Sequence, residues 1–267
     1  MIIQLKKFGI PKFFVSEDKE SFYGKNFWKL VQGGIYESEQ MSEIIETARK
    51  QHGSNSKNKK ITFLDIGAAN GAYSLIMGSL NYKVFAVEPD TTQFTALKHN
   101  VKINKNLDIT PINAFIVGND SFKPSPYALD RGANDFVKIE QIRLEDFKND
   151  GVFLIKFDIE GGEWDVLKSN GIWQLIKSAE SVDLFLSIHV GFFSSRYEES
   201  FTQRLFFRLR YIDELVTLFN FSRRADLIFY DSQPISPLRL LRHERIFGGT
   251  GFTKHVHLVF ESEGRAL

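Results

Sequence analysis

The stretch Ile61–Gly71, Ile-Thr-Phe-Leu-Asp-Ile-Gly-Ala-Ala-Asn-Gly, decides how the rest of this 267-residue chain is read. An apolar run from Ile61 to Ile66 is interrupted by one carboxylate, Asp65. A loop of small residues follows, Gly67 to Gly71, and then a helical pattern with Leu75, Ile76 and Leu80 on one face. This predicts a strand, a tight turn and a helix. Glycine lets the backbone turn sharply and approach a ligand, and the helix N-terminus beyond it offers free N–H groups. The next apolar run, Val84–Val87, ends at Glu88. That is about 20 residues past the first glycine, where dinucleotide folds place a ribose-binding acid. The first half therefore reads as a nucleoside-binding α/β domain.

Upstream, Met1–Gly34 is rich in Phe, Lys and Gly and reads as an irregular arm laying aromatics on the main domain. A helix is expected from about Ser38 to Lys50, with Met41, Ile44, Ile45 and Ala48 on one face. The polar stretch His52–Lys60 reads as an exposed loop. This divides the chain into an arm and helix, 1–50, and a ligand-binding domain, 51–267.

Downstream, Pro89 stops the second strand and Asp90 can cap a helix carrying Phe94, Leu97 and Val101. A third strand is expected around Asp108–Val117. The long stretch Gly118–Asn134 carries two prolines and no periodicity, as functional loops do. Phe136–Leu144 suits an edge strand, and Val152–Phe157 a buried parallel strand ending at Asp158. A helix is expected at Glu163–Lys168, with Gly171 beyond it. Val182–Ile188 is a fifth core strand, ending at His189. Glu198–Phe219 shows an apolar helical stripe of Phe201, Leu205, Leu209, Ile212, Leu215, Val216 and Phe219. Leu227–Tyr230 and His255–Phe260 are the last strands, separated by a basic loop with Arg239, Arg242 and Arg245. Strands alternating with helices imply a parallel sheet covered on both faces. With no helix expected between the last two strands, one of them should run antiparallel.

Composition narrows the function. Net charge is +1, so no global field points to nucleic acid or acidic lipid. The chain has no cysteine, which excludes disulfides, thiolate metal sites and cysteine nucleophiles. Met1–Ile10 has no apolar signal core, and no run is long enough to span a bilayer. A cytoplasmic protein is expected.

Two ligands compete for the glycine loop: a nicotinamide dinucleotide and S-adenosylmethionine. The dinucleotide loop needs a second glycine for the pyrophosphate to approach, and here that position is Ala69. Asp65 would repel a pyrophosphate, whereas it suits a cationic methionine end. An NAD(P)-dependent oxidoreductase is thus the weaker reading, and a non-catalytic nucleoside-binding module a further alternative.

The segments Phe63-Leu64-Asp65-Ile66-Gly67-Ala68-Ala69-Asn70-Gly71, Val87-Glu88-Pro89, the Leu97…Asn100…Asn104 helix and Lys156-Phe157-Asp158-Ile159-Glu160-Gly161-Gly162-Glu163 together resemble the FkbM family of S-adenosylmethionine-dependent methyltransferases. The match covers roughly Gly34 to His189. Its most specific part is the Asp-x-Glu-Gly-x-Glu segment. The family pattern has Asn where Ala69 stands, and Ala is common at Gly162. The resemblance implies a doubly wound, Rossmann-like, seven-stranded, mostly parallel sheet with one antiparallel C-terminal strand. It also implies that Asp65, Gly67 and Gly71 surround the methionine end and that Glu88 holds the ribose hydroxyls. With it, the candidate cofactor contacts are Glu37, Asp65, Gly67, Ala68, Asn70, Gly71, Glu88, Pro89, Asn113 and Asp158. Members typically O-methylate sugars or other small hydroxylated molecules.

Ligands of open α/β sheets sit beyond the carboxyl ends of the strands. His189 lies at such an end and is the candidate base; Asp158 and Glu160 are the other candidate catalytic groups. Asp158 could equally cap a helix or meet the cofactor's amino group. Glu160 could bind the N–H groups of the Gly161-Gly162 turn. Glu163 suits a first helical turn on dipole grounds alone. A divalent metal is conceivable on these groups, but no ligand spacing supports it. His255 and His257 read as a solvated strand face. The near-neutral charge and the absence of an Asn-Pro-Pro-Tyr segment argue against nucleic acid. The expected partner is a small-molecule or glycan acceptor.

Overall fold

The computed structural model describes residues 2–3, 13–14, 38–54, 61–118, 139–147, 151–159, 162–188, 201–230, 233–241 and 254–261. In the arm, β1 (Ile2–Ile3) pairs antiparallel with β2 (Phe13–Phe14). Helix α1 (Ser38–Ser54) follows, and Met41, Ile44, Ile45 and Ala48 are buried as their spacing requires. It runs through residue 50 and its buried face joins the same core as Phe63, Leu75 and Leu154.

The stretch that opens the reading forms β3 (Ile61–Ile66), then a turn, then α2 (Ala72–Ser79). β4 (Lys83–Val87) and α3 (Thr91–Ile103) follow, and the Asp90 carboxylate caps α3 by accepting from the Gln93 N–H at 2.8 Å. The single strand expected at 108–117 is two. β5 (Ile109–Ile112) continues the main sheet, whereas β6 (Ala114–Ile116) leaves it to pair in parallel with β7 (Glu140–Ile142). Asn113 sits at the break because its side chain is spent on the turn after β4 (below). β7 is therefore shorter than the strand expected at 136–144 and is no edge of the main sheet. A 3₁₀ turn at Leu144–Phe147 leads to β8 (Val152–Phe157).

Glu163–Lys168 is expected to be one helix, and two short ones are found: α4 (Glu163–Leu167) and α5 (Asn170–Ser178). Gly171 lies in the first turn of α5 and does not end a helix. β9 (Ser181–Ile188), α6 (Phe201–Ser222), β10 (Leu227–Tyr230), β11 (Gln233–Pro234), α7 (Pro237–Leu241) and β12 (Lys254–Glu261) complete the described chain.

The main sheet has eight strands, not seven, in the order β11-β10-β12-β9-β8-β3-β4-β5. β9, β8, β3, β4 and β5 are mutually parallel, and β12 runs antiparallel between β9 and β10. The extra strand, β11, is a two-residue antiparallel edge on β10. Its Pro234 has no N–H to give, which fits an edge strand.

Residue parity divides the sheet's side chains between two cores. Leu64, Phe153, Ile155, Leu184 and Leu258 pack under α4, α5 and α6. Phe63, Leu154 and Phe185 pack under α1, α2 and α3. On α6 the expected stripe is partly misplaced. Ile212 and Val216 are about half exposed, whereas Glu214, Thr217, Leu218 and Phe221 face inward. Phe221 is drawn in by Trp173 and Phe260, which stack around it with centroids 4.6 and 5.5 Å away. Among the described residues no helix is long and apolar enough to cross a membrane.

Candidate functional site

Among the described residues, the candidate ligand contacts lie where β3, β4 and β8 end side by side. Gly67 has φ +77° and Gly71 φ +91°, the left-handed region that glycine enters freely. Gly71 also stands at the N-cap of α2. Ala69, between them, has φ +50°. Among non-glycine residues Asn tolerates that conformation best, so the family's Asn at this position has a backbone reason. The amides of Gly67 and Ala68 both point to the Val87 carbonyl at 3.0 Å, and the Asp158 amide donates to the Ile66 carbonyl at 3.0 Å. The three strand ends are thus zipped together.

Glu88 sits in this zip. Its carboxylate accepts from the Ala69 N–H and from the Asp90 N–H, both at 2.8 Å. Burial pushes the group up to about 7, although those two amides and Lys156 favour its charged form. Asn113 donates to the carbonyls of Glu88 (2.8 Å) and Pro89 (3.2 Å), pinning the turn that aims Glu88. Asn100, from α3, holds the Asn70 carbonyl at 2.9 Å. Glu163 is buried and accepts from the Ile159 N–H at 3.2 Å, closing the turn after β8.

Asp65 is fully buried. One oxygen accepts from the Ser74 hydroxyl at 2.6 Å. The other has no hydrogen-bond partner among the described residues and faces the Lys156 ammonium at 3.5 Å. Lys156 also donates to the Gly67 carbonyl at 3.1 Å and stands 3.7 Å from the Asp158 carboxylate. The fold therefore brings together Asp65, Gly67, Ala68, Asn70, Gly71, Glu88, Pro89, Asn113 and Asp158. Glu37, Glu160 and His189 lie outside the described residues, as do nearly all of the Met1–Gly34 and Gly118–Asn134 segments. Three participants have no role in the sequence reading: Lys156 and Asn100, which lie within the motif segments, and Ser74, which lies outside them. Their partners lie 89, 30 and 9 residues away for the bonds to Gly67, Asn70 and Asp65.

The reading of His255 and His257 as a solvated face is corrected. His257 is buried and ion-paired, with Nε2 2.7 Å from Asp183 on β9 and Nδ1 3.1 Å from Glu43 on α1. Its ring stacks on Phe185 and Phe229. His255 is half-buried, and its Nδ1 lies 3.2 Å from the Ser187 hydroxyl. Alternation along β12 is real, but α1 covers the face that carries the histidines. Among the described residues no three His, Asp or Glu side chains are arranged to hold a metal ion.

A doubly wound sheet, a glycine loop and a buried acid at the end of β4 are features of nucleoside-binding α/β folds. Residues 65–210, more than half of the chain, match the methyltransferase FkbM domain, and the chain belongs to that family. No curated protein sequence matches it. Among solved structures, the bifunctional kinase-methyltransferase WbdD is similar at 11% identity and a TM-score of 0.48, over 91% of this chain and 43% of that one. The plantazolicin methyltransferase BpumL, solved in complex with SAH, is similar at 13% identity and a TM-score of 0.41, over 91% of each chain. The chain thus spans under half the length of the WbdD structures.

Proposed function

We propose that this protein is an S-adenosylmethionine-dependent O-methyltransferase acting on a hydroxyl of a sugar, glycan precursor or similar small molecule. The observation that carries the cofactor is the charge around the glycine loop. Asp65, Glu88 and Asp158 crowd the three strand ends against one cation, Lys156, and a loop with that acidic excess repels a pyrophosphate and suits a cationic ligand. The residues present fit the group: Glu88 would accept from the ribose hydroxyls, and the Gly67–Gly71 backbone and Asp158 would meet the methionine end. The cofactor supplies an activated methyl group. The chain's part is to orient the acceptor hydroxyl, the largest lever in such a reaction, and to remove its proton. His189, one residue past the end of β9, is the base of this reading. The family supports a small hydroxylated acceptor. Arg239, on α7, leaves room for a phosphorylated one.

Calorimetric titration with S-adenosylmethionine and NAD⁺, followed by methyl-transfer assays on free glycosides, nucleotide sugars and lipid-linked glycans, tests the reading. Heat with NAD⁺ alone would overturn it. His189→Ala should lower turnover at saturating cofactor while S-adenosylmethionine affinity holds. Undiminished turnover would remove His189 from the mechanism.

Glu88 gives a second test, with a sign. Only its carboxylate form accepts from both ribose hydroxyls, and in the free protein that form prevails above about pH 7. Cofactor binding should therefore tighten about tenfold between pH 6 and pH 8, by linkage to one proton. Glu88→Gln should flatten that dependence and weaken binding by about 1.5–3 kcal/mol, the range for hydrogen bonds to a charged group. A pH-independent wild-type affinity would remove Glu88 from the ribose site.

A further inference from the structure

Lys156 is the one charged residue of β8, in a strand otherwise built of Val, Phe, Leu and Ile. Its side chain is 4% exposed. Burying an ammonium is costly unless partners compensate it, so its surroundings show what it serves. Its cross-strand neighbour in the parallel register is Asp65. From there the stem climbs toward the ligand edge of the sheet. The ammonium reaches the Gly67 carbonyl at 3.1 Å, in the loop after β3, and approaches Asp158 to 3.7 Å, in the loop after β8. It also lies 5.0 Å over the Tyr73 ring, in the first turn of α2. Tyr73 in turn donates to Gln40 on α1 at 3.0 Å. One cation thus touches both loops that end at the ligand edge, and the helix that the glycine loop starts.

We propose that Lys156 is a positioning residue for the cofactor: by holding the Gly67 carbonyl and the Asp158 carboxylate on one ammonium, it sets the glycine loop and the strand-end acid in their binding arrangement. The inference rests on the S-adenosylmethionine reading above and gives a role to a residue that reading left unused. A cation that only balanced Asp65 could stay level with it in the sheet. The reach past Asp65 to a loop carbonyl and a second, partly exposed carboxylate is what a purely structural pair does not need.

Lys156→Met keeps the length of the side chain and removes its charge, but strands Asp65 as an unpaired buried carboxylate and can cost the fold. The double variant Asp65→Asn/Lys156→Met removes both charges, keeps the shape and leaves an amide oxygen for Ser74. It is the decisive protein. The reference is Asp65→Asn alone, which keeps Lys156 on Gly67 and Asp158. If Lys156 positions the loops, the double variant melts near that reference but binds S-adenosylmethionine and S-adenosylhomocysteine at least tenfold more weakly by calorimetry. A second readout is the pH midpoint of binding. Glu88 is faced by the Ala69 and Asp90 amides, the Asp90 carboxylate and Lys156. Losing the only cation of that set moves the midpoint above that of Asp65→Asn. If the double variant folds and binds as tightly as Asp65→Asn with the same midpoint, Lys156 is a structural counter-ion and the proposal fails. If the variant is unfolded, or the midpoint stays put while affinity falls, the positioning role is likewise rejected. If wild type itself binds no S-adenosylmethionine, the failure belongs to the functional reading and not to Lys156.

Discussion

Gly67→Ala should abolish measurable S-adenosylmethionine binding and lower the melting temperature by about 10 °C or more. Two costs add at this position. The first is conformational: φ is +77°, and a Cβ in the left-handed region costs roughly 1–2 kcal/mol. The second is steric and larger. A methyl group at Gly67 would sit 1.8 Å from the Asp158 carbonyl oxygen and 2.8 Å from its carbon. Both are backbone atoms of the strand-end zip, so neither can rotate away. Relief requires parting the β3 and β8 loops, and with them Glu88's bond to the Ala69 amide. The combined cost belongs with the exceptional substitutions, at about 4 kcal/mol or more.

Gly71→Ala is the internal control. Its φ of +91° carries the same conformational cost, but its added methyl group meets Leu97 Cδ1 at 2.6 Å, the end of a flexible side chain. Ala69→Gly should move stability the other way, by up to ~1 kcal/mol, because it relieves a left-handed alanine. Thermal melts of the three variants, with cofactor titrations on those that fold, check the order. Equal losses at Gly67 and Gly71 would mean that the β8 loop is not packed as described.

Which parts of this molecule the sequence could show follows from how local each part is. The glycine loop, the Asp90 cap and the strand-end Glu88 depend on neighbours within a few residues, and each is where its motif puts it. The parallel strands were legible because burial on both faces leaves near-continuous apolar runs. The polar interruptions in those runs were legible one at a time but not as a set. Asp65, Lys156, Asp183, Ser187, His255 and His257 all fall on the same face by parity. Only the register, which sets Lys156 opposite Asp65 and His255 opposite Ser187, shows that they form a polar layer beneath α1 and α2. α1 then supplies Gln40, Glu43 and Gln51 to that layer. A buried alternating strand and a solvated one look alike until the covering element is known, and Glu43 is 214 residues from His257. The misplaced stripe on α6 has the same origin. Ile212 and Val216 fit helical spacing as well as Leu218 and Phe221 do, and the choice is made by Trp173 and Phe260, far away in the chain.

The polar layer makes its own prediction, at His257. Both ring nitrogens lie within hydrogen-bond distance of a carboxylate oxygen, Nε2 at 2.7 Å and Nδ1 at 3.1 Å. A neutral imidazole has one N–H and could donate to only one of them. The geometry therefore calls for the imidazolium. The ring's surroundings agree: burial disfavours the charge, but hydrogen bonds and charge from Asp183 and Glu43 outweigh it and raise the group above its usual 6.5. Gln51 steadies the other Asp183 oxygen at 2.9 Å. The ring thus ties α1 to β9 through one buried cation. His257→Ala leaves two carboxylates without it and should destabilise the fold by about 3–5 kcal/mol, the range for breaking a buried pair from one side. The sign with pH follows from the raised value. The stabilisation is fully present below pH 6.5 and is lost as pH rises through the folded-state value above it. Glu88, also raised, loses its contribution between about pH 4.5 and 7, so the His257 part is isolated by comparing wild type with His257→Ala. Urea melts from pH 5 to pH 9 should show wild type losing more stability than His257→Ala as pH rises above 6.5. A variant with the same slope as wild type would mean that the bridge between α1 and the sheet carries no proton-linked energy.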